Sequence, residues 1–341
     1  MNKLTPIIIA LMSFKGIGPN AVLNLLKEKN IYNYNYMELN KSKVRQIEQA
    51  IEKDLLTPHT WEIALQKAED IMQDSKEKGI KIINFREGDY PQNFLSLKTF
   101  PILLYAKGNI ELLNHDKSIA IIGTRNPSSF GSKMGFKISN LLSEKGYSIV
   151  SGLAKGIDTM AHKGAVDASG KTVAILAHGL DLPVYPKENR ALAADILNAG
   201  GLLLSTYSNG TKLLPQYLAA RDEWQSGLSD GVLVVETGIK GGTNITVGHA
   251  IKQKKPLAVL DHRQFKNGEL SELKQAEGNM KYINENKAIP IYTEKSIETF
   301  GNEICSIKHE EEIRKLNMKE IKDSNKKEKT DDAVVEQINL L

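Results

Sequence analysis

Two short segments hold residues whose types and spacing suit binding of an anion. The first is Gly123, Thr124, Arg125, Asn126, Pro127, Ser128, Ser129, Phe130, Gly131, and the second is Ser151, Gly152, Leu153, Ala154, Lys155, Gly156, Ile157, Asp158. Each follows an apolar, strand-like run and opens a helix, so backbone amides at the helix start are left without intrahelical partners and can face a negative charge. Gly123 lets the main chain turn sharply beneath a ligand. Arg125 adds a planar guanidinium fork suited to phosphate, Lys155 adds a second cation, and Ser128 and Ser151 add hydroxyl donors. One such turn could simply be a tight strand-to-helix connection with a surface charge. Two adjacent turns of the same chemistry favour a site for something phosphorylated, because ligands of open α/β sheets collect at the carboxyl ends of strands. The chain has neither GxGxxG in the first turn nor GxxxxGK[ST] anywhere, so it carries no dinucleotide or Walker fingerprint.

The elements that must position these turns can be read from periodicity. From Gly79 onward a strand-like KIINF is followed by IAIIG, YSIVSG, TVAILA, GLLLS, GVLVV and PLAVL, with helical stretches between them up to about Leu260. Alternation of this kind predicts parallel crossovers and an α/β fold, a Rossmann-like doubly wound and mostly parallel sheet. Residues 1–78 read as a small helical domain, with apolar residues at helical spacing in AVLNLLKE, VRQIEQAIEK and WEIALQKAEDIMQ. The domain expectation is therefore 1–78 helical, 79–300 Rossmann-like core, and 301–341 a charged, flexible tail. Lys308 to Asp332 is a Lys/Glu mixture with no useful apolar stripe, which fits a solvated helix or disorder.

Several phrases together resemble one family. IIGTRNPSSFG, VSGLAKGIDTMAH, HGLDLPVYPKEN, GGLLLSTY, GLSDGVLVVET, KGGTNIT and KPLAVL, preceded by GDYPQNFLSLKTFPILLYAKGN, occur in the order and approximate spacing of the DprA/Smf family of bacterial DNA-processing proteins. The resemblance covers roughly Asn84 to Leu260. It implies a Rossmann-like core that binds single-stranded DNA in a basic pocket, protects incoming strands, helps load the recombinase RecA during transformation and recombination, and forms homodimers without catalysing a reaction. Positions matching the family's binding motifs are Gly123, Thr124 and Arg125, then Ser151, Gly152, Lys155 and Gly156, then Lys187, Asn189 and Arg190 of the PKENR segment. Arg221, Gly241, Gly242 and Thr243 complete the expected phosphate-binding set with Ser128.

The chain departs from the family where members commonly carry a phrase close to PRRNRIIAGLS. Here Leu218 to Ser229 reads LAARDEWQSGLS, which keeps Arg221 and adds Asp222 and Glu223. If typical members touch a phosphate there, these carboxylates would repel it. A second reading follows: a sensor or hydrolase of a free nucleotide or nucleotide-derived signal, possible on related folds. KGGTNIT is only a partial echo of the PGGxGTxxE signature of nucleoside monophosphate phosphoribohydrolases.

Composition sets the outer bounds. The chain has 341 residues, a net charge of +4 and one cysteine, Cys305. Nucleic-acid affinity must then come from a local patch, and an internal disulfide is excluded. PIIIALMSF near the start is too short for a membrane span and lacks a cleavage pattern, so a cytoplasmic protein without membrane association is expected. No cofactor and no metal site are expected, because the histidines form no ligand cluster with carboxylates. His162 reads as orienting the second turn or closing helix packing, His178 as a phosphate donor or an internal hydrogen bond, and His249 as a helix residue. Asp158, Asp181 and Glu236 lie near strand ends, where acids usually cap helices and tie loops, so no catalytic residue is assigned. Phe14 to Asn20, FKGIGPN, reads either as the hairpin of a helix-hairpin-helix phosphate clamp or as a plain turn with Pro19 starting a helix. Tyr32, Tyr34 and Tyr36 read as packing before base stacking.

Overall fold

The structure is a computed structural model that describes residues 4–28, 33–310 and 313. Tyr32 and most of the charged tail beyond residue 310 lie outside the described residues. Five helices come first: α1 (Leu4–Met12), α2 (Pro19–Leu25), α3 (Tyr36–Leu39), α4 (Arg45–Glu52) and α5 (Pro58–Glu77). Then follow β1 (Lys81–Asn84), α6 (Gln92–Leu95), β2 (Leu103–Gly108), β3 (Ser118–Ile122), α7 (Ser129–Glu144), β4 (Ser148–Ser151), α8 (Ile157–Asp167), β5 (Thr172–Leu176), α9 (Arg190–Asn198) and β6 (Leu202–Ser205). The last part comprises α10 (Pro215–Leu228), β7 (Gly231–Val234), α11 (Thr243–Lys252), β8 (Leu257–Leu260), α12 (Glu277–Asn284), β9 (Ile289–Ile291) and a helix over residues 294–310.

The nine strands form one sheet in the order β1-β2-β6-β5-β4-β3-β7-β8-β9. From β6 to β9 all neighbours are parallel, whereas β1 and β2 are antiparallel additions at one edge. Strands β3 to β7 are buried along their whole length, which is why their centres are apolar, with Ser and Thr only at the strand ends. The chain lays β3, β4, β5 and β6 in one direction and then returns to place β7 on the other flank of β3, with Ile119 opposite Gly231 and Ile122 opposite Val234. That reversal is the topological switch point of a doubly wound sheet, and it opens a crevice outside the carboxyl ends of β3 and β7.

Two elements were not anticipated from the sequence: β2, whose run LLYAKG ends in polar residues, and β9, whose centre is Pro290. The ordered core also continues past residue 300. Phe300 and Ile304 of the helix over residues 294–310 are buried and join Ile119, Leu142 and Ile149 in one apolar cluster, so the helix runs on past residue 300 and packs through Ile304, where a flexible tail was expected.

The N-terminal helices share their core with the sheet. Ile8, Leu11, Leu25, Ile47 and Trp61 belong to the same cluster as Ala174, Leu176, Leu180, Leu192 and Leu203. Polar ties reinforce the joint: Asn84 Nδ2 donates to Thr5 Oγ1 (2.9 Å), and Asn209 Nδ2 donates to Asp74 Oδ2 (2.8 Å) and Ser75 Oγ (3.0 Å). Tyr34 and Tyr36 pack against this core while half-buried, in line with the packing reading. In the FKGIGPN turn, Phe14 stacks on Trp61 with ring centroids 6.3 Å apart, Ile17 is buried, and Pro19 takes the first turn of α2. Pro19 and Asn20 line a cavity of about 670 Å³ with Tyr207, Tyr217 and Trp224, so this turn forms part of the joint to the sheet.

Candidate functional site

A cleft of about 440 Å³ opens at the switch point. Its walls include Gly123, Thr124 and Arg125 after β3, Ala154 and Asp158 after β4, Arg221, Asp222 and Gln225 of α10, and Gly241, Gly242, Thr243 and Thr246 at the start of α11. Seven of the fifteen residues expected to bind phosphate therefore meet in one place. Arg125 is exposed at the rim, and among the described residues no hydrogen bond or ion pair occupies its guanidinium. α11 follows Gly242 with no side-chain cap; the Asn244 and Ile245 amides turn back onto the Gly241 and Gly242 carbonyls (3.1 and 2.9 Å), which leaves the Thr243 amide and the positive end of the helix dipole beside Arg125's loop.

The β3 loop is held in shape from below. Glu236, just after β7 and fully buried, accepts from the Ser128 amide (2.8 Å) and the Ser128 hydroxyl (2.5 Å) and lies 3.3 Å from His262 Nε2. Burial pushes its carboxyl upward, but the hydrogen bonds from His262 and Ser128 outweigh that and hold it below the usual range. Ser128 also caps α7 by accepting from the Gly131 amide (2.9 Å). A Cβ at Gly131 would run into the Glu236 carboxylate, so this position must stay bare for the acid to reach the cap. Ser128 is thus spent on shaping the loop, which corrects its expected role as a ligand donor.

Three more expected donors prove internal for the same reason: they are buried and already paired. Ser151 Oγ donates to the Ile121 carbonyl (2.7 Å). Asn189 Nδ2 donates to the carbonyls of Leu153 (2.9 Å) and Ala154 (3.1 Å), which pins the β4 loop to the PKENR segment. Arg221 is only 4% exposed and donates from one terminal nitrogen to the carbonyls of Gly152 and Ile175 (3.0 Å to the latter), thereby tying the ends of β4 and β5. Gly156 sits at φ +82 as the N-cap of α8, against the backbone of Thr124 and Arg125, and brings the two Gly-rich turns into contact. The Ile157 amide donates to the Thr124 carbonyl (3.2 Å) across that contact.

Lys155, Lys187 and Arg190 lie beside the cleft around a second concavity of about 330 Å³ with Tyr185 and Glu188. Lys155 pairs with Glu188 at 2.7 Å, with both side chains about half exposed, and that cation holds the Glu188 carboxyl below its ordinary value. Arg190 Nε donates to the Val184 carbonyl (3.2 Å). The basic lip is therefore continuous with the cleft through Ala154 and Lys155 but is partly engaged with its own loop.

Of the two acidic departures, only Asp222 lines the cleft. Glu223 turns to the other side of α10, 3.8 Å from His249. Burial pushes the Asp222 carboxyl up to about 6, opposed by Arg221 and Arg125 and reinforced by Asp158, whose own carboxyl burial also raises. The expected repulsion of phosphate is thus confined to the α10 wall. His162 and His178 are held by internal hydrogen bonds. His162 is fully buried against Thr172 Oγ1 (2.7 Å), and His178 bonds the Gly179 carbonyl (2.8 Å) and the Tyr185 amide (3.4 Å). Asp181 ties a loop by accepting from the Gly210 amide at 2.9 Å. Gln225 and Thr246 are polar cleft residues that reading the sequence missed as contacts; Gln225 stands three residues after Asp222 on the same helical face.

The fold and cleft define a Rossmann-like, doubly wound α/β protein with a crevice at its switch point that Arg125 rims and Gly-rich turns line. Residues 81–300 match the family model of DNA recombination-mediator protein A, and the chain belongs to that family. It is similar to DNA processing protein DprA of Bacillus subtilis, 38% identical over 178 residues that make up 52% of this chain and 59% of that protein. It is also similar to DprA of Streptococcus pneumoniae, 40% identical over 48% of this chain and 57% of that one, and to protein Smf of Escherichia coli, 34% identical over 50% and 45%. The chain thus spans about half the length of these curated relatives. Among solved structures it is similar to DprA from S. pneumoniae (TM-score 0.67, 25% identity, 86% of this chain and 97% of that one). Another is DNA processing protein A from Helicobacter pylori (TM-score 0.56, 27% identity, 68% and 96%), which was studied for its single-stranded DNA binding mode.

Proposed function

We propose that this protein binds single-stranded DNA through the switch-point cleft and its basic lip, and acts in DNA recombination by holding the strand rather than by catalysis. The observation that carries the reading is the meeting of the Gly123–Arg125 turn and the uncapped start of α11 on one cleft, with an unengaged guanidinium at its rim. Such donors hold a phosphate backbone without reading sequence. Family membership and the strand-binding relative from H. pylori support the same ligand. Protection of incoming strands, delivery to RecA during transformation, a homodimer and a cytoplasmic setting belong to the same proposal. Among the described residues no helix is long and apolar enough to cross a membrane.

The test is fluorescence anisotropy with a mixed-sequence 30-nucleotide strand. The native protein is expected to bind with an affinity that falls steeply with salt. Arg125→Ala is expected to weaken binding roughly tenfold and to reduce the salt slope by about one, with an unchanged melting curve. No binding at low salt, or no effect of Arg125→Ala, overturns the reading. The acid-lined wall at Asp158 and Asp222 is the one observation that favours a free-nucleotide sensor instead. Stabilisation in a thermal-shift panel by a mononucleotide and not by any oligonucleotide would select it.

A further inference from the structure

The cleft has a second polar end with the opposite character. Asp222 and Gln225 line it from successive turns of α10. Gln225 Nε2 donates to Asp222 Oδ1 at 2.9 Å, which fixes the amide and leaves Oε1 as its other end. Gln225 is only 2% exposed, and that Oε1 has no hydrogen-bond partner. A buried amide oxygen left unpaired is costly, and the residue that carries this one lines a cleft. Beside it stands a carboxylate that only accepts when ionised. Arg221 Nε is 3.2 Å from Asp222 Oδ1, and one terminal nitrogen of that guanidinium is committed to the Gly152 and Ile175 carbonyls. A group that enters this end with N–H or O–H donors finds acceptors in Asp222 and Gln225, whereas an added anion meets the Asp222 carboxylate.

The cleft is thus bipolar: cationic and amide-rich at Gly123, Thr124, Arg125, Gly242 and Thr243, and acceptor-rich at Asp222 and Gln225. A volume of about 440 Å³ suits one nucleotide. A nucleotide whose base carries an exocyclic amino group has matching polarity, with an anion at one end and an N–H₂ donor at the other. Thymine has no amino group, and its ring N–H is flanked by two carbonyl acceptors, which would face the carboxylate.

We propose that Asp222 and Gln225 select, in the nucleotide held by the cleft, bases bearing an exocyclic amino group over thymine. This rests on the single-stranded DNA reading and adds a base preference to it. Both residues fall in the segment where the chain departs from its family's usual phrase, so the preference belongs to this chain's own α10.

Oligo-dC and oligo-dT of equal length separate the two proposals, because both are pyrimidine tracts that differ mainly at the base edge. Anisotropy is measured at pH 8, above the range in which Asp222 titrates and where cytosine tracts stay unfolded. The native protein is expected to bind oligo-dC roughly tenfold more tightly than oligo-dT. Gln225→Met and Asp222→Ala are each expected to bring that ratio below about threefold while the melting curve still reports a folded protein; two variants guard against one failing to fold. Equal native affinity for the two tracts overturns the base preference and leaves strand binding standing. Binding of neither tract overturns both. A preference for strands with a free 3′-hydroxyl over 3′-dideoxy strands, without any base preference, would assign the donor to a strand end and overturn the selection of bases.

Discussion

At the scale of single residues, a buried histidine decides how the fold responds to acid. His162 has no access to water, and burial, with the nearby Arg221 charge adding to it, pushes its imidazole from 6.5 down to about 3. The unfolded chain takes up a proton below 6.5 while the folded chain refuses it until about 3. The stability held by neutral His162 is therefore complete above pH 6.5 and is lost as pH falls through the window below it. The difference amounts to about 4 kcal/mol by the end of that window. Denaturant midpoints taken between pH 7 and pH 4 are expected to fall more steeply for the native protein than for His162→Gln, which keeps a polar group toward Thr172 but does not titrate. Parallel curves for the two would refute this. The same scale shows what single residue types conceal. Ser128, Ser151, Asn189 and Arg221 look like ligand donors in a sequence because their chemistry is right. Burial and prior hydrogen bonds, which depend on distant Glu236, Ile121, Leu153 and Ile175, decide otherwise.

At the scale of elements, the site depends on how two turns are pressed together. Gly156 carries a backbone conformation that residues with a Cβ avoid, and a Cβ there would strike the Thr124 carbonyl and the Arg125 backbone. Gly156→Ala is expected to destabilise the fold by about 1–3 kcal/mol. It should also weaken strand binding beyond that of Lys155→Ala, whose charge is already paired with Glu188. Chemical denaturation and anisotropy on the two variants check this, and a Gly156→Ala protein of native stability would refute it. The strands β3 to β8 were legible because each has an apolar centre with Ser or Thr only at its ends, and a segment of that type has few other places to go. β2 and β9 were not, since one ends in Lys107 and Gly108 and the other contains a proline. Local chemistry alone was enough to mark the two Gly-rich turns as a candidate anion site. Their partnership with Gly241, Gly242 and Thr243 depends on β7 returning to the flank of β3, and that is a property of strand order rather than of any local motif. Gln225 was silent for a related reason: its lone acceptor acquires meaning only once α10 is laid along the cleft.

At the scale of the whole molecule, the helical N-terminus and the sheet behave as one body. Leu11, Ile47 and Trp61 share a core with Leu176, Leu192 and Leu203, and burying each such side chain is worth about 1.5–3 kcal/mol. Calorimetry is expected to show a single cooperative transition, whereas two well-separated transitions would mean that residues 1–78 fold on their own. The sheet's far edge has a different consequence. In β9 the Ile291 carbonyl accepts from the Asp261 amide (2.8 Å), so Ile291 faces β8 and Pro290 faces away from it. A proline has no N–H to offer there, and the strand is only three residues long. This edge cannot template a further strand, so neither a second copy nor an unfolded neighbour can lengthen the sheet across it, and the protein is shielded on that side from edge-to-edge aggregation.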